Sequence, residues 1–362
     1  MKKIIFLLIC IFATALTLAS CGRKYEPVKS TKEESRVVFT MEIDGEEYDV
    51  KYELYRMLFL NNKALIDGGD NSVWSSDKKE NYIRKMNALV YDRAAEIFSV
   101  FAFAEELGIN PYSAAVEDKI YEYIVLSVEG NQADYVGHGS YDKFLASLKE
   151  RNMNYSVMEL LLRYSIVSSF IYEEYRGVTD DVLGELPGNI TISKEDVSSY
   201  YFDDECARVL QLITSDGAKA TEHKAAMEKL PGPKGVALYI INKTTAVHTD
   251  CIVDKEVSGT ILGKYALDSI VYGEYSDAVF SLSPGQFSEV IEINDEGKKS
   301  YYVAFKLTKS PEHFERCYDA IKQSYIDNEV GRKIEGKKRQ LISSVEVQDG
   351  YAEIIHASIY MN

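Results

Sequence analysis

Tyr275-Ser-Asp-Ala-Val-Phe-Ser-Leu-Ser-Pro-Gly-Gln-Phe-Ser-Glu-Val290 changes character twice within a short span. Asp277 to Leu282 reads as a helical turn, Ser283-Pro-Gly285 is a turn signal, and Ser288 to Ile293 reads as a strand. Tyr301 to Thr308 reads as its partner strand, folded back around Asn294-Asp-Glu-Gly297. Upstream, Ala207 to Thr214 is strand-like, and Asp216 to Leu230 is helix-like with Ala220, Ala226, Met227 and Leu230 on related faces. Pro231-Gly-Pro233 marks a turn, Val236 to Ile241 is a short apolar run, and a polar stretch extends to about Ser258. Ser193 has the form of an N-cap, with Asp196 three residues on, opening a short helix to Phe202.

The first half has another periodicity. After a hairpin signal, Val38 to Ile43 and Glu47 to Val50 around Asp44-Gly45, a helix is expected over Lys51 to Asn62. Ile83, Met86, Val90, Ala94, Ile97 and Phe101 recur every three or four residues, so Lys79 to Leu107 reads as a helix closed by Gly108. Further helices are expected over Ser113 to Glu129, around Tyr141, Phe144, Leu145 and Leu148, and around Val157, Leu160, Leu161, Tyr164, Val167 and Ile171. Gly184, Pro187 and Gly188 break the pattern between Gly177 and Ile192. Helical spacing returns after Pro311, with Phe314, Tyr318, Ile321, Tyr325, Val330 and Ile334 on one face, and Tyr351 to Tyr360 alternates as a strand would.

Lys2 and Lys3 precede an uncharged apolar run, Ile4 to Ala19, which ends Leu18-Ala19-Ser20-Cys21. The run is too short for a spanning helix and is followed by polar chain, the order of a cleaved export signal. Leu-Ala-Ser-Cys resembles the lipobox of bacterial lipoproteins, which implies cleavage after Ser20 and diacylation (palmitate-type chains) of Cys21 on the extracytoplasmic face of a bacterial membrane. Residues 21–36, rich in Lys, Glu and Ser, read as a lipidated flexible tether. Without residues 1–20 the chain keeps 39 basic and 57 acidic residues, a net charge of −18. So acidic a body excludes nucleic acid as a partner and favours standing off an anionic surface. Cys206, Cys251 and Cys317 are too few and scattered for a disulfide framework, and His248-Thr-Asp-Cys251 lacks the second pair that a metal site needs. Neither metal nor cofactor is expected. The five histidines share no site-like spacing, and there is no Gly-x-Ser-x-Gly, His-Glu-x-x-His or Gly-x-x-x-x-Gly-Lys pattern.

The stretch from 275 to 290 resembles the parvulin-type (rotamase, PpiC) peptidyl-prolyl isomerases, the module of the foldase PrsA and the chaperone SurA, which carry Ala-Phe-x-Leu-x-Pro-Gly-Glu-x-Ser-x-Pro-Val there. Ser193-Lys-Glu-Asp-Val-Ser-Ser-Tyr-Tyr201 is similar to the helix that precedes that module. Val209-Leu-Gln-Leu-Ile-Thr214 sits where the family has Ala-Ser-His-Ile-Leu-Val, and Tyr301-Tyr-Val-Ala-Phe-Lys-Leu307 where it has Gly-Tyr-His-Ile-Ile-Lys-Leu. The resemblance implies an α+β chain: a parvulin-like domain over 193–310, a four-stranded antiparallel sheet flanked by helices, inserted in a SurA-like helical chaperone lobe. That lobe would comprise 37–185 and a returning helix and strand over 311–362.

The implied function is assistance to the folding of exported polypeptides, bound unfolded or partly folded, with prolyl cis-trans isomerisation. By position, Val271 and Tyr275 take the places of the family's pocket methionine and phenylalanine, with Phe280 beneath them. Each also suits a plain core residue. The family's first histidine falls on Gln211, its second on Tyr302 or Val303 depending on one gap, and its loop acid near Ile261 in Gly259-Thr-Ile-Leu-Gly263. Gln211 and Tyr302 are therefore the candidate catalytic positions. Loss of both histidines and the acid implies a weak isomerase, and the alternative is a non-catalytic binding or surface-interaction lipoprotein.

Overall fold

The computed structural model describes residues 24–131, 135–177, 190–243, 252–253, 256–266, 269–295 and 298–348. The export signal, Cys21, most of the Gly177 to Ile192 break, the His248 to Cys251 pair and the alternating run Tyr351 to Tyr360 lie outside them. The described residues form two compact units, 24–171 with 337–348, and 172–177 with 190–336. Among the described residues no helix is long and apolar enough to cross a membrane.

The first unit opens with strands β1 (Val37–Ile43) and β2 (Glu46–Lys51), turning at Asp44 and Gly45, whose φ angles of 55° and 86° are those of a type I′ hairpin. A register shift between Val37 and Phe39 lets Val38 and Phe39 both be buried. Helices follow: α1 (Tyr52–Asp67), α2 (Lys79–Glu106), α3 (Ala114–Glu129), α4 (Tyr141–Glu150) and α5 (Tyr155–Arg176). A short 3-10 turn at Asn71–Ser75, unmarked by periodicity, buries Trp74, whose indole N–H donates to Asp67 at 2.7 Å. Ser113 and Ser140 cap α3 and α4 by accepting from the backbone N–H three residues on.

The stretch from Lys24 to Arg36, expected to be free tether, instead has partners along the first unit. The Lys24 backbone N–H donates to the Tyr121 hydroxyl at 2.6 Å, and its ammonium meets Glu129 at 2.8 Å. Tyr25 donates to the same carboxylate at 2.8 Å and stacks on Tyr141, whose hydroxyl donates to the Glu26 carbonyl at 2.7 Å. Further on, Ser30 bonds buried Glu53, which also accepts from Asn154 at 2.6 Å. Composition marks such a segment as polar, but only the fold shows that its polar groups have partners.

The second unit begins with the end of α5 and then α6 (Lys194–Phe202), where the expected capping box forms: Ser193 accepts from the Asp196 N–H, and Asp196 accepts from the Ser193 N–H. Next come β3 (Cys206–Thr214), α7 (Gly217–Met227) and α8 (Gly232–Lys243). The minimal hairpin of β4 (Ile252–Val253) and β5 (Glu256–Val257) precedes β6 (Thr260–Gly263), α9 (Ser269–Ser281), β7 (Ile291–Asp295) and β8 (Lys298–Lys306). The main sheet has the order β6-β3-β8-β7 and is antiparallel throughout. Central β3 is covered on both faces, which is why Cys206 to Leu210 is buried without alternation. Leu210, Leu212, Val303 and Phe305 pack with α7 and α8; Ala207, Val209, Ala304, Ile291 and Ile293 pack with α9 on the other face.

Two local readings change. Val236 to Ile241 lies within helix α8, which starts beside Pro233, a residue harmless in a first turn because no N–H is needed there. After Pro311 the helix is interrupted at Cys317, giving α10 (Pro311–Arg316) and α11 (Tyr318–Ser343). Phe314 and Ile321 pack with Val197, Tyr201 and Cys206, so 311–336 clusters with the second unit. From Lys337 the chain belongs to the first unit, where a last strand, β9 (Glu346–Val347), pairs with β1 at Phe39 and Thr40.

Candidate functional site on the α9 face of the sheet

Strand alternation decides which side chains of β3 and β8 meet. Leu210 and Leu212 enter the α7/α8 cluster, so Gln211 between them faces α9. Its register partner is Ala304, and Tyr302, two residues back on β8, is opposite Ile213 and belongs to the α9 cluster. Val303 belongs to the opposite cluster. The register thus leaves Tyr302, not Val303, on the face of Gln211.

Helix α9 supplies the third group. The Tyr275 hydroxyl donates to Gln211 Oε1 at 2.7 Å, and its ring lies 5.0 Å from that of Tyr302. Tyr272, one turn earlier, meets Tyr302 edge-on at 6.3 Å. Burial pushes the Tyr302 phenol up to about 12 and raises that of Tyr275 further, so both hydroxyls are protonated donors at neutral pH. Tyr275 is only 2% exposed. Its ring is core, packed with Val209, Val279 and Ala304, rather than the wall of an open hollow. Phe280 packs partly buried against the same cluster, and its carbonyl accepts from Lys306 at 3.3 Å. Val271 falls within α9, but its side chain lies outside what is described.

Ile261, nearest to the family's loop acid, packs against the Cys206 cluster, while its neighbour Leu262 packs beside Tyr275. The loop before it is held from beneath. Arg208, buried in β3, donates through Nε to the Ser258 carbonyl at 2.6 Å, through Nη1 to Thr308 O at 2.8 Å, and through Nη2 to Val257 O. Gly259 has a φ of +78°, and a Cβ there would meet the Val209 carbonyl at 2.8 Å. His313, at the start of α10, is within 3.1 Å of Ser258 O through Nε2 and 2.9 Å of the Tyr201 hydroxyl through Nδ1. If Nε2 donates to that carbonyl, Nδ1 accepts from the phenol. Burial first, then Arg208 and Arg316, lower the imidazole to about 4, so it is neutral.

Sequence reading singled out neither Arg208, Tyr272 nor His313. A signal for Arg208 existed: one charge inside the apolar strand run Ala207 to Leu212, which demands buried partners. Among the described residues no three His, Cys, Asp or Glu side chains are grouped to hold a metal ion.

No protein-family model and no curated protein matches the chain. Among solved structures, it is similar to the crystal structure of foldase protein PrsA from Streptococcus pneumoniae, at 13% identity, covering 89% of this chain and 99% of that one with a TM-score of 0.30. It is also similar to PrsA from Bacillus subtilis, at 13% identity over 90% of this chain and 98% of that one with a TM-score of 0.24. The foldase protein from Lactococcus lactis stands at 14% identity, 91% and 100% coverage and a TM-score of 0.23.

Proposed function

We infer that this chain is an extracytoplasmic foldase, anchored through lipidated Cys21, which holds extended segments of exported polypeptides and isomerises their prolyl bonds weakly. The observation that carries this reading is the meeting of Gln211, Tyr275 and Tyr302 on one sheet face, at the positions to which the parvulin resemblance leads. The lipobox supports the anchor.

Rotation about X-Pro faces a barrier of about 18–20 kcal/mol and needs no covalent step. A surface that removes water from the amide favours the twisted form, which has lost its resonance dipole. Tyr302 offers an aromatic surface for the proline ring and a phenolic donor; Gln211, its oxygen occupied by Tyr275, keeps its N–H donors. Neither group carries charge at neutral pH. Because Tyr275 is buried, a proline ring cannot enter beside it without displacing it from Gln211, and that cost is why catalysis is weak while gripping is not.

The test uses the full chain in two assays, suppression of aggregation of an unfolded exported protein and cis-to-trans conversion of a proline tetrapeptide. Suppression with a small rate above buffer is expected. Suppression at the buffer rate removes the isomerase, and failure in both assays removes the foldase.

A further inference from the structure

Resting on the holding activity inferred above, we propose that the first unit carries a further binding site for exported polypeptides, formed by Tyr121, Glu129 and Tyr141, and that the chain's own residues 24–29 occupy it as a stand-in client. The occupant it fits is an open segment with a basic and an aromatic residue just before an X-Pro bond.

The first argument is how the strap is held. Residues 24–30 form no helix or strand, and among the described residues they make no backbone-to-backbone hydrogen bond. Side chains of the folded body grip their main chain instead. The Tyr121 hydroxyl accepts from the Lys24 N–H at 2.6 Å, and the Tyr141 hydroxyl donates to the Glu26 carbonyl at 2.7 Å. That carbonyl belongs to the Glu26–Pro27 bond, and Pro27 has no N–H with which to join a helix or a ladder. Peptide ligands are bound in this manner, main-chain bonds giving affinity and side-chain contacts giving specificity.

Selection comes from two groups side by side, Glu129 at the end of α3 and Tyr141 at the start of α4. The Tyr25 ring stacks on Tyr141 at 5.2 Å, while its hydroxyl and the Lys24 ammonium both reach one Glu129 oxygen at 2.8 Å. An apolar segment would leave that carboxylate unanswered, and an acidic one would be repelled.

The occupant is also loosely held. Lys24 and Glu129 keep 68% and 43% of their side-chain exposure, so their ion pair is a screened surface pair of little worth. Tyr25 is half-buried, Val28 is 45% exposed, and no side chain of 24–29 is fully buried. So few apolar contacts place the segment at the low-stability end of the fold, where local opening costs little. Its base is tied more firmly: the Arg36 carbonyl accepts from the Tyr52 N–H at 2.8 Å, and the Glu34 carbonyl from the Glu53 N–H at 3.1 Å. Opening therefore frees 24–29 while the rest of the strap stays attached, and a client competes with a tethered rival.

The experiment follows the anisotropy of a fluorescein-labelled peptide copying residues 23–30, Arg-Lys-Tyr-Glu-Pro-Val-Lys-Ser, on the full chain. Tyr25→Ala weakens the tethered rival and should tighten peptide binding about tenfold, the worth of one aromatic stack and one hydrogen bond. If Tyr25 served the fold alone, its loss would leave peptide binding unchanged or lower it. In that background Glu129→Lys should reverse the gain; the side chain is partly exposed and a lysine suits a helix C-terminus, so the fold is kept. The same peptide with glutamate and alanine for its first lysine and its tyrosine should bind about tenfold more weakly. Equal binding to the native chain and Tyr25→Ala, or binding indifferent to Glu129→Lys, overturns the proposal. If the native chain still suppresses aggregation of an unfolded exported protein, the holding activity then stands without this site; if it suppresses nothing, that reading fails as well.

Discussion

Gly331 and Gly336 lie five residues apart on α11, and the same substitution should act on them with opposite sign. A Cβ at Gly331 would stand 2.0 Å from the backbone carbonyl oxygen of Tyr265, whereas one at Gly336 would meet nothing within 4 Å. Since real Cβ contacts essentially never fall under 3.0 Å, Gly331→Ala must push α11 and the turn after β6 apart by at least about 1 Å, an overpacking that costs about 1–3 kcal/mol. The obstacle is backbone, pinned by the Tyr265 N–H donating to buried Asn328 at 2.9 Å, so the upper end applies. Helix propensity returns about 1 kcal/mol at either site. Gly331→Ala should therefore lose about 2 kcal/mol and Gly336→Ala gain about 1 kcal/mol, at about 2–4 °C in Tm per kcal/mol for a unit of this size. Far-UV circular dichroism melts read both variants, while the fluorescence of Trp74, in the first unit, reports the other body. The displaced turn leads into α9, which carries Tyr272 and Tyr275, so Gly331→Ala should also weaken client holding. Two variants that melt together would refute the assignment of this contact as the reason for glycine.

Arg208→Met leaves the carbonyls of Val257, Ser258 and Thr308 without their donor and should cost about 2 kcal/mol after relief of the buried charge; faster hydrogen exchange at residues 257–263 is the readout, and unchanged protection would refute it. His313 is held neutral in the fold, at about 4 against an ordinary 6.5. Between those values the unfolded chain binds a proton that the native state does not, so its stability contribution is complete above pH 6.5 and is lost as pH falls toward 4. Urea midpoints across that window should fall in the native protein and slope less in His313→Gln. Tyr275→Phe removes one hydrogen bond, at about 1 kcal/mol, and frees Gln211 Oε1; the tetrapeptide rate should rise if that bond is what closes the site, and a lower rate would place Tyr275 among the groups that assist rotation.

How much of this was legible depended on which physical signal each element left. The helices of the first half announce themselves because one face of each meets a core, and Ser113 and Ser193 mark their own caps. Helix α9 shows only its end, Asp277 to Leu282, as helical in the sequence, because Ser269 to Tyr275 is apolar without a clear stripe. The strap from Lys24 to Arg36 is polar, and polar chain looks the same whether its groups meet water or Glu53, Asn154 and Glu129. At the site, which of Tyr302 and Val303 shares a face with Gln211 is set by strand pairing, since a shift of one residue moves a side chain to the opposite face. Tyr275 is the instructive case. Its position in the chain suggested a pocket residue, yet its ring is core and its hydroxyl, which a phenylalanine lacks, donates to Gln211. Tyrosine and glutamine satisfy each other across helix and strand, whereas a phenylalanine in place of Tyr275 would leave the Gln211 oxygen without that donor. The two positions are therefore coupled through one hydrogen bond, and the loss in stability from Gln211→Leu should be smaller in a Tyr275→Phe background than alone, a coupling that a double-mutant cycle on thermal stability measures directly.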